Sequence, residues 1–394
     1  MSLVRAALIL GLLSAVGPFA IDMYLPALPA LASDLSVDET TAQLTLTSYF
    51  IAFGLAQLIY GPWSDQSGRR RPLIVGLLIF ILGSAISAAA PGIGALVAGR
   101  AIQGVGGAVL MVVPRAVIRD MHTGPAATRM MALVMLVISV SPMLAPLAGA
   151  GLIQLGSWRL IFWTLCGAAA LSLVLALLAL PETLAPKDRA RVDLKALWAG
   201  TKVLFADPVF MGLTFIGGFG MASFFVFIAS ASFVYVDQFG LTPTGFSLAF
   251  AINAVGFFAA SQAAGPLADR VGIVPLMRWG AFGFAGFTVA LLGLALAGAA
   301  SLVAIVGFLF CANACLGLVI PTTMVMALDP HGRIAGLASS LGGTLQMVTG
   351  GVMIVLTGLF FDGTALPMIA AIALCAVSAL ALALPTLSRV AAPA

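Results

Sequence analysis

A carboxylate and a guanidinium lie in segments of this chain that are otherwise mostly apolar. Asp22 falls late in the segment 6–30, and Arg100 falls early in the segment 95–117. If both segments cross a membrane, a helical rise of about 1.5 Å per residue puts each side chain roughly 10 Å below the same face. An ionised carboxylate is costly at that depth unless it is paired, hydrated or protonated. Asp22 is therefore predicted to carry a proton, and Arg100, which stays charged, is predicted to take part in proton coupling. A helix-end acid that faces water, and an arginine that snorkels to the headgroups, stay open as alternatives.

The composition supports the assumption that these segments cross a membrane. Of the 394 residues, 62% are hydrophobic and only 8% are charged, and the mean hydropathy is +1.16. A soluble protein of this length needs more charge to cover its surface. Apolar segments of about 20 residues recur along the whole chain, and each is long enough to cross a bilayer. The chain is predicted to be an all-α membrane protein with twelve transmembrane helices. The predicted spans are 6–30, 40–61, 73–91, 95–117, 129–154, 159–181, 207–236, 244–266, 273–297, 301–325, 334–361 and 365–387.

The distribution of charge predicts the orientation of the chain. Most basic residues fall on the side of both termini, the exceptions being Arg100 and Arg159, and the acidic loop 31–40 falls on the opposite side. Basic residues mark cytoplasmic loops, so both termini are predicted to be cytoplasmic. The net charge of +4 is explained by these loops, and nucleic acid is not an expected partner.

A charged stretch in the middle of the chain, residues 182–206, divides it into two halves. The predicted domains are an N-terminal six-helix bundle over 1–181, a cytoplasmic linker over 182–206 and a C-terminal six-helix bundle over 207–394. The linker either lies on the membrane surface as an amphipathic segment or is solvated, and the sequence leaves both open. "GPWSDQSGRRRP" follows the second span and "GPLADRVGIVP" follows the eighth, at equivalent points of the two halves. Such a repeat predicts two parallel halves related by a pseudo-two-fold axis.

The first of these loops resembles the loop signature of the major facilitator superfamily. "DMYLPALP", "RAIQGVGGAVLMVVPRAVIRD", "SPMLAPLAGAGL" and "FFVFIASASFVYVDQFGLTPTGFSLAFAINAVG" resemble the bicyclomycin/chloramphenicol-resistance branch of its drug–proton antiporters. Three departures stand out: Gln66 replaces the usual arginine of the loop, Trp63 replaces leucine, and Ala145-Pro146 replaces the usual Gly-Pro.

The resemblance implies a function. It implies a proton-coupled multidrug efflux antiporter of the bacterial inner membrane, which exports lipophilic or cationic antimicrobials of the chloramphenicol or bicyclomycin type by alternating access. It also implies a monomer that contacts lipids, has the proton as coupling ion and needs no cofactor. Proton-coupled import of a small metabolite on the same fold stays open, because fold does not determine substrate or direction. An enzyme is not expected, since the predicted spans hold no histidine and only one carboxylate away from a span end.

The resemblance also implies a cytoplasmic latch around the repeated loops. The glycines allow tight turns, Asp65 is expected to cap the next helix or to meet another helix start, and the arginines are expected to meet carboxylates or anionic headgroups. Simple anchoring of basic residues at the membrane surface stays open for part of this cluster. Pro142 and Pro146 are expected to bend the fifth span. The predicted gating residues are Gly61, Asp65, Gly68, Arg69, Arg70, Pro142, Pro146, Gly265, Asp269 and Arg270.

A drug cavity is expected to combine aromatic surface with a few polar groups. For each polar residue alone, a hydrogen bond between helices is an alternative to ligand contact. The two histidines, His122 and His331, lie in loops without metal-ligand spacing, so no metal site is predicted. The predicted cavity residues are Tyr24, Tyr49, Gln103, Phe224, Phe225, Asn253, Asn313 and Gln346.

Overall fold

The structure is a computed structural model that describes residues 3–121, 124–189 and 194–391. These residues are almost entirely helical, and twelve of their segments are long and apolar enough to cross a membrane. The prediction of an all-α protein with twelve transmembrane helices is confirmed. His122 and residues 190–193 of the predicted linker lie outside the described residues.

The chain divides into two compact units, unit 1 over Met1–Leu197 and unit 2 over Trp198–Ala394. The boundary falls within the stretch 182–206. The described helices of unit 1 are α1 (Leu3–Asp22), α2 (Leu28–Asp34), α3 (Glu39–Ser67), α4 (Arg70–Ala88), α5 (Ile93–Met121), α6 (Gly124–Leu155) and α7 (Arg159–Leu178). Helix α8 (Leu194–Ala206) crosses the boundary, and unit 2 continues with α9 (Pro208–Phe233), α10 (Pro243–Val271), α11 (Ile273–Leu296), α12 (Leu302–Leu328), α13 (Ala335–Gly358) and α14 (Ala365–Ala391).

The two units repeat one packing scheme. In unit 1, α5 packs against α1, α3 and α4, while α1 also packs against α6 and α7. In unit 2, α12 packs in the same way against α9, α10 and α11, while α9 also packs against α13 and α14. Each unit therefore surrounds its own apolar core with the same order of spans, as the repeated loop predicts.

The repeated loop also ends its span in the same way in both units. Gly68 follows α3 with a φ of 90°, and Gly272 follows α10 with a φ of 87°. Residues with a side chain rarely adopt this left-handed region, so glycine is required at the turn. Gly61 and Gly265, in contrast, lie inside helices α3 and α10. The expected tight turn at Gly61 is wrong, because the helix continues for six residues beyond it.

The first span is a broken helix. Helix α1 ends at Asp22, a short 3-10 turn covers Leu25–Ala27, and α2 then continues the same span. Pro26 lies four residues after Asp22, where it cannot donate a hydrogen bond to the Asp22 carbonyl and its ring crowds that carbonyl. The break therefore follows from the local sequence, and it brings an irregular backbone to Asp22.

Glycines let α5 pack closely against its neighbours. A Cβ atom added at Gly106 would overlap the backbone of Phe80 in α4, and one added at Gly104 would overlap the carbonyl of Tyr49 in α3. Gly94, near the start of the same helix, has open space where its Cβ would lie. Small residues at such positions allow helix backbones to approach each other in a membrane.

We expect Gly106→Ala to destabilise the protein by about 1–3 kcal/mol, because the added methyl group has no room against α4. The measurement is the melting temperature of the purified protein in detergent. Gly94→Ala is the control in the same helix, and it should leave the melting temperature unchanged or raise it slightly. Equal melting temperatures for the two variants would contradict this account of α5 packing.

Candidate functional site

Asp22 is a buried acid without a partner. Its side chain is 4% exposed, and no hydrogen bond or ion pair within the described residues reaches it. It stands at the carboxyl end of α1, where the helix dipole is negative, so an ionised carboxylate gains nothing from the dipole there. The other acids of the described spans all lie within three residues of a span end. Asp22 is the exception among them.

Arg100 is fully buried, with an exposed fraction of 0%. Its Nη1 donates to the carbonyl of Ala20 at 3.0 Å and to Oε1 of Gln103 at 2.5 Å, and its Nε donates to the carbonyl of Thr45 at 3.4 Å. The last regular backbone hydrogen bond of α1 runs from the Met23 amide to the Phe19 carbonyl. Because the helix breaks after this bond, the Ala20 carbonyl can accept a hydrogen bond from Arg100. Arg100 thus bonds directly to the backbone beside Asp22.

Aromatic rings surround the same guanidinium. The Arg100 Cζ atom lies 4.3 Å from the ring centre of Tyr49, 5.1 Å from that of Tyr24 and 5.9 Å from that of Phe162. Such cation–π contacts stabilise a desolvated cation. Tyr24 and Tyr49, two of the predicted cavity residues, thus both contact the guanidinium of Arg100.

A series of hydrogen-bonded side chains on α5 and α4 fixes the position of the guanidinium. Gln103 accepts from Arg100 and donates through Nε2 to the hydroxyl of Ser84 at 2.8 Å, and Ser84 donates to the Phe80 carbonyl. Nη2 of Arg100 has no hydrogen-bond partner. Arg100 and Asp22 form no ion pair in this structure. One donor group of the buried cation and one buried carboxylate are therefore both unpaired.

Sequence reasoning missed two groups near this site. Gln43 of α3 is 2% exposed, and neither atom of its amide has a partner. Gly149 of α6 lies directly against the carbonyl of Met23, so a Cβ atom there would overlap the broken segment of the first span. Gly149 belongs to "SPMLAPLAGAGL", the motif that predicted a bend at Pro142 and Pro146. Helix α6 runs without interruption through both prolines.

A charge network lies at the other end of unit 1. Arg69 is buried and donates to both oxygens of Asp120, at 2.6 and 3.1 Å, and its Nη1 donates to Asp65 at 2.5 Å and to the hydroxyl of Ser64 at 2.7 Å. Burial alone lowers the pKa of Arg69, but the hydrogen bonds that it donates to Asp120 and Asp65 raise its pKa above the ordinary value. The arginine expected to meet carboxylates meets two.

Glu182 completes this network at the start of α4. Its Oε1 accepts from the Arg69 amide at 2.8 Å, and its Oε2 accepts from the Arg70 amide at 3.2 Å. The expectation that Asp65 caps the next helix is wrong: Asp65 pairs with Arg69 one turn away, and Glu182, more than 100 residues along the chain, provides the cap. Arg70 donates its Nη2 to the Leu177 carbonyl at 2.8 Å. Asp120 is the last residue of the motif "RAIQGVGGAVLMVVPRAVIRD". Its place in that motif is the only feature of the sequence that pointed to a role for it.

The second copy of the loop carries no such network. Gly265, Asp269 and Arg270 are exposed, and among the described residues no hydrogen bond or ion pair reaches the Asp269 or Arg270 side chain. The two copies share their backbone turn and differ in charge pairing. Among the described residues, ion pairs of this kind occur at the first copy of the loop and not at the second.

In unit 2 the predicted polar cavity residues meet each other. Nδ2 of Asn313 donates to Oδ1 of Asn253 at 3.4 Å, and Nδ2 of Asn253 donates to the Ala249 carbonyl at 3.1 Å. This is the hydrogen bond between helices that the sequence left open as an alternative. Gln346 is half-buried in α13 and lies against Gly217 of α9.

Aromatic residues form a continuous group in unit 2. Phe224 stacks on Phe257 with ring centres 6.0 Å apart, and it contacts Phe225 at 6.5 Å and Phe250 at 6.4 Å. The predicted cavity residues Phe224 and Phe225 are thus neighbours. The group offers an apolar, polarisable surface of the kind found in sites for drug-like molecules.

His331 has a partner that the sequence did not indicate. Its Nε2 lies 2.9 Å from Oδ2 of Asp207, whose other oxygen accepts from the Val209 and Phe210 amides at the start of α9. Burial alone raises the pKa of Asp207, but these amides and His331 lower it below its ordinary value. In the described part of the chain, no group of three or more His, Cys, Asp or Glu side chains is arranged to hold a metal ion.

The Glu182 cap leads to a prediction about pH. Burial raises the pKa of Glu182, but the amides of Arg69, Leu184 and Arg70 outweigh it, so the pKa lies below its ordinary value of 4.5. A lowered pKa means that the ionised form stabilises the fold above about pH 4.5 and that this stabilisation is lost as the pH falls further. Glu182→Gln should therefore lower the melting temperature by a few degrees at pH 7, with the difference from wild type shrinking towards pH 4.

The measurement is a series of thermal unfolding curves of both proteins in detergent between pH 4 and 7. Glu39→Gln serves as the control, because within the described residues its side chain makes no hydrogen bond or ion pair, and it should stay close to wild type throughout. A difference between Glu182→Gln and wild type that grows on acidification would contradict the role of Glu182 as an anionic cap.

Comparison with known proteins agrees with this architecture. Residues 10–354 match the family model described as Major Facilitator Superfamily. The chain is 28% identical to a protein of Haemophilus influenzae named "Bicyclomycin resistance protein homolog", over 94% of this chain and 93% of that one. It is 30% identical to "Multidrug resistance protein D" of Escherichia coli K12, over 89% of this chain and 87% of the relative.

A solved structure shows the same fold. The crystal structure of a D-xylose-proton symporter superposes with a TM-score of 0.77 at 16% identity and covers 98% of this chain. The expected resemblance to the bicyclomycin/chloramphenicol-resistance branch is confirmed by the names of the relatives. Twelve apolar helices and a family match over most of its length make this chain a multi-pass membrane protein that belongs to the major facilitator superfamily of transporters.

Proposed function

We propose that this protein is a proton-coupled multidrug efflux antiporter of the bacterial inner membrane. Its substrates are lipophilic or cationic antimicrobials of the chloramphenicol or bicyclomycin type, and it moves them by alternating access. The names of its relatives support drug export. The protein is proposed to act as a monomer, with the proton as its coupling ion and no further cofactor.

The observation that carries the proposal is the state of Asp22. It is the one acid of the described spans that lies far from a span end, and it is buried without a hydrogen-bond partner. A carboxylate in this setting is stable only when it is protonated, hydrated or paired with a cation. If the site opens to water first on one side of the membrane and then on the other, Asp22 can be hydrated and protonated in turn. Asp22 is thus suited to take up a proton from one side and release it to the other.

Arg100 is the cation that can attract Asp22 when Asp22 is ionised. Its Nη2 donor group is buried without a partner, in the same part of the first and fourth spans as Asp22. Because an arginine stays protonated, it attracts an ionised Asp22 and has no such attraction for a protonated one. We propose that substrate binds while Asp22 is ionised, and that protonation of Asp22 from the periplasm accompanies release of the substrate. One proton then returns to the cytoplasm as Asp22 ionises again.

The substrate class follows from the side chains available. The described spans of unit 2 combine the aromatic group around Phe224 with a few amides and hydroxyls, and their carboxylates lie near span ends. An apolar aromatic surface with few polar groups suits drug-like molecules. A sugar would need many more hydrogen-bonding partners. The positive-inside distribution of basic residues supports a cytoplasmic position for both termini.

The test uses Asp22→Asn in proteoliposomes. With an acidic interior, an antiporter exchanges internal protons for external drug, so the wild-type protein should accumulate chloramphenicol inside. Asp22→Asn keeps the size of the side chain but cannot ionise, and its proton-driven accumulation should fall to the level of empty liposomes. Exchange of labelled for unlabelled drug should also be weaker in this variant, because a neutral residue 22 corresponds to the state that releases substrate.

Asp34→Asn is the matched control, because Asp34 is half-exposed and is paired with Arg159 near the end of the first span. It should accumulate drug as wild type does. Full proton-driven accumulation by Asp22→Asn would refute the proposed coupling. Accumulation by the wild type only when the exterior is acidic would instead indicate proton-coupled import.

A further inference from the structure

Two buried hydroxyl groups one helical turn apart in the seventh span have no partner. Ser232, in the last turn of α9, and Tyr235, just beyond it, are both 0% exposed. Neither the Ser232 nor the Tyr235 oxygen has a hydrogen-bond partner. The two groups lie three residues apart at the end of the seventh span, where the helix changes from α to π geometry.

Ser232, like Ser230, lacks the hydrogen bond that buried threonines of unit 2 make to their own helix. A serine or threonine in a membrane helix normally donates to a carbonyl one turn earlier. Thr288, Thr357 and Thr386 all do so, at 2.9, 2.7 and 2.7 Å. Ser232 has a carbonyl of its own helix at the same spacing and does not use it. Its buried hydroxyl can therefore still accept or donate a hydrogen bond.

Aromatic rings flank Tyr235. Its ring contacts Phe246 at 6.1 Å and Phe227 at 6.3 Å between centres, and Phe227 stacks on Phe250 at 5.6 Å with an angle of 8° between the planes. A few polar groups among stacked rings are the usual composition of a site for an aromatic ligand. The buried amides of Asn253 and Asn313, which were the predicted polar groups, are already bonded to each other.

The backbone at Tyr235 is also irregular. Residues Val234–Gln238 form a π-helical turn, in which the Phe239 amide donates to the Val234 carbonyl at 3.2 Å. Single π-helical turns within α-helices are frequent at functional sites, because they change the direction of the side chains that follow. The turn is anchored by Gln238, whose side chain accepts from the Ala365 amide at the start of α14 at 2.7 Å.

We infer that Ser232 and Tyr235 form a hydrogen-bonding subsite for the polar oxygen of an uncharged aromatic substrate, such as a carbonyl, hydroxyl or nitro group. The inference rests on the proposed function, and it assigns specificity to two residues that sequence reasoning did not select. The rings of Phe227, Phe246 and Phe250 provide the apolar wall. Both hydroxyls are closed off in this structure, so the substrate reaches them when the transporter opens.

The test compares two substrates that differ in hydrogen bonding. Chloramphenicol carries amide, hydroxyl and nitro groups beside its aromatic ring, whereas tetraphenylphosphonium is aromatic and has no such group. Tyr235→Phe and Ser232→Ala should each raise the KM for chloramphenicol roughly three- to tenfold, the loss expected for one hydrogen bond. The KM for tetraphenylphosphonium should stay at its wild-type value. Both are measured as proton-driven uptake into inverted membrane vesicles.

Stability gives a second readout. Because each variant removes a buried hydroxyl that has no partner, its melting temperature should equal or exceed that of the wild type. A higher KM for chloramphenicol without a lower melting temperature would show that the hydroxyl binds substrate and that the fold is undamaged. Ser230→Ala is the control, since Ser230 also has an unpartnered buried hydroxyl but lies about 200° around the helix from Ser232. It should leave the KM for both substrates unchanged.

Five results would overturn the inference. Wild-type KM values for both substrates in Tyr235→Phe and Ser232→Ala would show that the hydroxyls do not bind substrate. An equal rise for both substrates, or the same rise in Ser230→Ala, would show a general effect on packing. If the wild type transports tetraphenylphosphonium but not chloramphenicol, the subsite fails while drug export stands, and if it transports neither, both proposals fail.

Discussion

The hydrogen bond from Arg100 to the Ala20 carbonyl is the interaction on which the core of unit 1 depends. Within a lipid bilayer no water is available to satisfy a carbonyl that a helix break has released, so irregular backbone persists only where the protein provides a donor. Arg100 is that donor, and its burial is in turn possible because the same break supplies an acceptor and Gln103 supplies another. The broken first span and the buried cation therefore stabilise each other. Asp22, at the end of α1 and two residues after Ala20, forms no ion pair with this cation.

The same requirement shapes the other end of unit 1. The first amides of α4 have no partner within their own helix, and Glu182 accepts from two of them. Arg69 at this helix start is buried, and Asp65 and Asp120 neutralise it. Acids from three separate parts of the chain thus meet at one helix start and join the ends of the second, third, fourth and sixth spans. Unit 2 repeats the helix packing and the turn glycine without these charges. Its buried polar groups are hydroxyls and amides, so one fold serves charge chemistry in the first unit and aromatic contacts in the second.

Much of the fold was predictable because the bilayer imposes strong conditions on the sequence. The number of spans, the repeat of the loop and the single mid-span acid all follow from residue types along the chain. Gly68 and Gly272 share a left-handed φ as their equivalent positions in the repeat suggest. Local motifs were less reliable. Gly61 lies in a helix and not in a turn. Asp65 pairs with Arg69, while the cap of α4 comes from Glu182 in a distant part of the chain.

The sequence by itself determined which residues carry charge inside the membrane and where the helices run. These properties depend on the composition of a segment and on the chain within four or five residues. Only the tertiary structure decided how the polar groups are paired: that Arg100 bonds to the Ala20 backbone and not to Asp22, that Glu182 caps α4, and that Asn253 and Asn313 satisfy each other while Ser232 and Tyr235 stay unpaired. Pairing depends on distances of about 3 Å between atoms from different helices, and such distances are set by how the helices pack rather than by the order of residues along the chain.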